Sequence, residues 1–130
     1  METPEFVNRN DMYGQTAEPI IYERCPEILA NGISVGFVGS NKKKTKNKVK
    51  VVHGECKKVP SLYKIFCPYD FLIIIYEENC AGFTDEQMEI LLWHELLHIG
   101  IDDKGNAYLK DHDVEDFDEI IRKHGLHWSV

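Results

Sequence analysis

The chain has 130 residues, enough for one domain to enclose a core of its own. Its apolar fraction of 43% excludes wholesale disorder. The 15 basic and 22 acidic residues leave a net charge of −7, which excludes a surface devoted as a whole to nucleic acid but allows a local basic patch.

The opening "METPEFVNRNDMYGQT" lacks a positively charged start followed by an apolar core, so it predicts no secretory signal. Residues 1–16 are polar and aperiodic, and read as a poorly ordered lead-in to a single domain over 17–130. No apolar run is long enough to span a bilayer. Cys25, Cys56, Cys67 and Cys80 form no CxxC pair, which predicts reduced thiols in a cytoplasmic protein. A structural zinc site using His53, Cys56 and other cysteines is the alternative, and the spacing of "HGEC" followed by lone cysteines supports it poorly.

In "EPIIYERCPEILANG" the apolar residues recur at roughly helical spacing. Pro26 suits the first turn of a short helix, Gly32 suits its end, and Pro26 breaks any single long helix here. "ISVGFV" and the alternating "KVKVV" read as strands. Between them, "GSNKKKTKNK" with its lysines from Lys42 to Lys50 reads as a solvated hairpin loop guarding a sheet edge. Contact with nucleic-acid phosphates is the rival reading, weakened by the lack of interleaved aromatics. "DFLIIIY", Asp70 to Tyr76, predicts a strand covered on both faces.

"TDEQMEILLWHELLHIG" predicts a helix over about 84–99. Thr84 caps it with Gln87 as reciprocal partner, acidic residues fill its first turn, and Gly100 ends it. Nearly every direction around it is apolar, so the helix is expected to be buried. His94 and His98 are one turn apart on one face. Two imidazoles and the Glu95 carboxylate are costly in such a helix unless each finds a partner. A divalent metal supplies one: zinc takes both imidazoles, and Glu95 reaches a metal-activated water as general base, which is the logic of the HExxH pattern.

A catalytic zinc site needs a third protein ligand. The metzincin continuation is excluded, because Ile101 and Lys104 stand where glycine and histidine are required. Downstream, Asp113 reads as the cap of a second helix. Val114, Phe117, Ile121 and His124 would form its buried face, and Gly125 its end. His112, just before that cap, is the first choice for third ligand, with a carboxylate from Glu115 or Asp116 as the alternative. Asp102, Asp103, Asp111 and Asp113 lack the EF-hand pattern and read as turn residues, caps and partners that orient imidazoles. Tyr108, His53, His124 and His127 are candidate oxyanion donors with no positive sign in their favour, and Trp93 and Trp128 read as packing residues.

From about residue 19 to 125, the order of these elements resembles the phage metallopeptidase family, itself similar to SprT-like zincins. HExxH is specific for the zincin class, and the block "HDVEDF" points to this family. The resemblance implies an α+β minimal zincin: a small twisted mixed sheet, an active-site helix and a second, C-terminal helix. It assigns His94, His98 and His112 as ligands of Zn2+ and Glu95 as base, in a zinc metallopeptidase acting on a protein or peptide. The setting it implies is the cytoplasm of a bacterial host, with a phage or prophage gene. SprT-like relatives act on DNA-linked proteins, and no zinc ribbon or separate DNA-binding module is recognisable in this chain. An extended peptide is expected to add to a sheet edge near Asp70 to Tyr76. The rival is a non-catalytic module in which zinc ties two helices together and the protein binds a partner or nucleic acid. Sequence does not fix the oligomeric state.

Overall fold

In the computed structural model, residues 4–110 are described. They are built around a mixed four-stranded sheet ordered β1 (Phe6–Asn8), β2 (Val35–Ser40), β6 (Phe71–Tyr76) and β5 (Gly54–Lys58). β1 runs antiparallel to β2, β2 parallel to β6, and β5 antiparallel to β6. The α+β class and the small mixed sheet therefore agree with the expectation. The second helix expected from Asp113 lies outside the described residues.

Side chains alternate between the two faces of each strand. Phe37, Cys56, Phe71, Ile73 and Ile75 point to one face, and there they join the core with α1 (Gln15–Arg24), α2 (Pro26–Ala30) and α3 (Asp85–Leu96). Phe71, Ile73 and Ile75 are fully buried, as an apolar strand between two neighbours should be. Pro26 opens α2, and Gly32 follows it at φ 65°, a left-handed conformation that costs glycine nothing. None of the helices among the described residues is long and apolar enough to cross a membrane.

Three sequence expectations need revision. The first 16 residues, read as a lead-in, contain β1 and a π-helical turn at Asn10–Gly14 whose Tyr13 is buried. Arg9 donates to both carboxylate oxygens of Glu77 at 3.0 and 3.1 Å, and the Tyr13 hydroxyl donates to the same group. These pairings span 64 to 68 residues, so no local pattern announces them.

"KVKVV" does not enter the main sheet. Its Lys50–Val51 (β4) pairs with Thr45–Lys46 (β3) in a separate two-stranded ribbon, and β5 begins at Gly54. Alternation fits either strand, and the burial of Cys56 against the core selects the later one. The strand over Asp70 to Tyr76, expected near an edge, lies between two neighbours, and β5 is the edge strand on that side.

Candidate active site

α3 forms where its start signals predict. Thr84 Oγ1 accepts from the Gln87 amide at 3.1 Å, and Gln87 Oε1 accepts from the Thr84 amide at 2.9 Å, so two orphan donors of the first turn are satisfied. Ile90, Leu91, Leu92, Trp93, Glu95 and Leu96 are all buried, as an apolar helix circumference demands. The guanidinium of Arg24 lies 5.2 Å over the Trp93 ring and holds α1 against α3.

The helix stops at Leu96, before the expected residue 99. The His98 amide bonds to the Glu95 carbonyl at 3.2 Å, an i to i−3 bond that tightens the last turn. From there the chain enters β7 (Ile99–Ile101), which pairs with β8 (Ala107–Leu109). Gly100 is thus a strand residue. An added Cβ there would clash with the Tyr108 ring, so the glycine makes room for that ring instead of ending the helix. In the hairpin turn, Asp102 Oδ1 accepts from the amides of Lys104 and Asn106 at 2.9 Å each, which is a turn role of the kind expected for the acids here.

His94 and His98 are brought together, with ring centroids 5.4 Å apart at 71°. Glu95, 4% exposed, points one oxygen toward His98, 3.9 Å from its Nε2. The other lies against β5, where an added Cβ on Gly54 would be 3.3 Å from Oε2. Cys56 faces the same space: burial first, and the charge of Glu95 second, push its thiol well above the ordinary range. The His53 ring rests 4.8 Å from that of Phe83, and burial pulls its imidazole below the usual value, favouring the neutral form.

One contact sets the chemistry of His98. Its Nδ1 lies 2.6 Å from the carbonyl oxygen of Lys110. A carbonyl can only accept, so Nδ1 carries a proton, and in the neutral ring the lone pair is then on Nε2, on the Glu95 side. A backbone acceptor behind one ring nitrogen is how proteins fix the tautomer and direction of a metal-binding histidine. Two imidazoles side by side, one of them oriented by a backbone carbonyl, are donors of the kind a divalent metal takes.

Among the described residues, no group of three or more histidine, cysteine or acidic side chains could hold a metal ion. His112, Glu115 and Asp116, the candidates for third ligand, lie outside the described residues, as do Asp111, Asp113, His124, His127 and Trp128. Sequence reasoning missed Gly54 and the Lys110 carbonyl, and weighed Cys56 only for a structural zinc site. "HG" before a strand was the one available signal, because glycine inside a strand often marks close approach by another group.

A family model described as putative phage metallopeptidase matches residues 5–130. No curated protein and no solved structure matches the chain.

Proposed function

The chain belongs to the putative phage metallopeptidase family, and on that premise we propose that it is a zinc-dependent peptidase in which His94 and His98 hold the metal and Glu95 is the general base. The family carries the coarser statement, a metallopeptidase using a metal ion on peptide substrates. The observation that supports the finer one is the contact between His98 Nδ1 and the Lys110 carbonyl, which selects the tautomer with its lone pair on Nε2, the form in which an imidazole ligates a metal. His112 is the proposed third ligand. It is two residues beyond Lys110, a stretch of at most about 7 Å, so the contact at His98 starts the chain within reach of the site.

Bound zinc would supply Lewis acidity, polarising the scissile carbonyl and easing deprotonation of a water. Glu95 would take that proton on a carboxylate oxygen during attack and deliver it to the departing amine. Its burial supports the role, since a carboxylate screened from bulk water exchanges protons with the reacting groups instead of the solvent.

An extended peptide would add along β5. The hydrogen bonds from Tyr76 to His53 and from Val59 to Asp70 set the ladder, so the backbone groups of Gly54, Cys56 and Lys58 point away from β6. A peptide paired with them would pass Glu95, whose carboxylate abuts Gly54.

The test is elemental analysis of untagged protein purified without chelators, followed by comparison with Glu95→Gln. About one zinc per chain in both proteins, with casein hydrolysis lost only in Glu95→Gln, is the expected result. Equal hydrolysis by the two would sink the base assignment. Zinc bound by both with no hydrolysis by either would favour a non-catalytic, zinc-stabilised module.

A further inference from the structure

The lysine-rich segment is the feature that the peptidase reading does not use. Six lysines fall between Lys42 and Lys50, and no acidic residue occurs from Ile28 to Gly54, in a chain whose net charge is −7. Two of the six are engaged locally: Lys44 pairs with Glu55 and lies over the Tyr76 ring, and Lys43 is 3.8 Å from Glu78. Lys42, Lys46, Lys48 and Lys50 are exposed and form no ion pair among the described residues.

The β3–β4 ribbon holds these charges together against their own repulsion. Lys46 is directly opposite Lys50 in the ladder, a like-charge pairing that destabilises a two-stranded ribbon. Asn47 and Lys48 form the turn at φ 55° and 62°. Glycine is the usual second residue of such a turn, and here a lysine takes the strained conformation. The base of the ribbon is clamped: the Asn79 side-chain amide donates to the Lys44 carbonyl at 3.0 Å and to the Val52 carbonyl at 2.8 Å. The result is a clamped arm that carries four exposed ammonium groups with no ion pair among the described residues.

We infer that the β3–β4 hairpin is a docking arm for the phosphate backbone of duplex nucleic acid. Closely spaced lysines match a backbone with regularly repeated charge and gain affinity by releasing its counterions. The arm has no aromatic side chain on which single-stranded bases could stack. Val49, 86% exposed, and Val51, 45% exposed, are its only large apolar groups, too little to anchor it in a bilayer. The inference rests on the hairpin and stands whether or not Glu95 cleaves peptides.

The test is fluorescence anisotropy with the full chain and a labelled duplex of about 20 base pairs across a salt series. Four phosphate contacts predict a log–log slope of about −3.6, or roughly a 150-fold loss of affinity between 50 and 200 mM salt. The variant Lys46→Ser/Lys48→Ser/Lys50→Ser should bind weakly, with the slope reduced to about −0.9. Lys46→Arg/Lys48→Arg/Lys50→Arg should bind as the parent does, and neither variant should melt below the parent. No salt-sensitive binding by the parent, or an unchanged slope in the serine variant, would overturn the inference. Binding to phosphatidylserine vesicles without binding to the duplex would overturn it in favour of an anionic membrane surface.

Discussion

Replacing Gly54 with alanine would test whether β5 sets the position of the Glu95 carboxylate. An added Cβ would lie 3.2 Å from the Ile74 carbonyl oxygen and 3.3 Å from Glu95 Oε2, both tighter than ordinary van der Waals contact. The Ile74 carbonyl belongs to a strand held on both sides and cannot retreat. The end of the Glu95 side chain is the freer partner, and a shift of a few tenths of an ångström relieves the contact. A misplacement of about 1 Å at a reacting group costs about 100-fold in rate, so a shift of about 0.3 Å predicts a loss of roughly 4-fold. That loss should fall on kcat, because neither the histidines nor the outward backbone groups of β5 are touched. Stability should change by less than about 1 kcal/mol, since the strain at Cβ opposes the entropy that alanine removes from the unfolded chain. The assay is steady-state hydrolysis of a quenched casein substrate, with zinc content and melting temperature measured on the same preparations. An unchanged kcat would refute the reasoning, as would a loss of activity that tracks a loss of zinc.

Zinc at about 100 times its Kd should stabilise the parent by about 2.7 kcal/mol, or about 10 °C in Tm for a chain of this size, and His98→Ala should abolish that shift. A chelator that leaves the parent's melting curve unmoved would argue against the metal site. Elsewhere, burial alone would raise the carboxyl of Glu77, but hydrogen bonds from Arg9 and Tyr13 and the charge of Arg9 outweigh it and hold the group below its ordinary 4.5. A depressed carboxylate pKa adds stability that is fully present above the unfolded value and is lost as pH falls through the folded one. Urea midpoints of the parent and Glu77→Gln should therefore differ at pH 7 and begin to draw together only as pH falls below about 4.5, meeting once it has passed the lower folded value. A gap that stays constant into the acid range would mean that Glu77 acts through shape and not through charge.

Features whose causes lie within a few residues are legible in the chain alone. The capping box of Thr84 and Gln87, the apolar circumference of α3, the one-turn spacing of His94 and His98, the proline that opens α2 and the buried run of β6 are all local. Each depends on periodicity or on a bond spanning three or four positions, so the chain announces it without its partners. The fold settles what depends on pairing between distant segments. It selected Gly54–Lys58 over "KVKVV" as the sheet strand, placed β5 at the edge, drew Arg9 and Tyr13 onto Glu77, and ended α3 early so that β7 could pair with β8. It also set the Lys110 carbonyl behind His98, twelve residues away along the chain. Hydrogen bonds of that kind are between backbone groups that every residue carries, so only the folded register, which is selected by burial of the core, can say which ones meet.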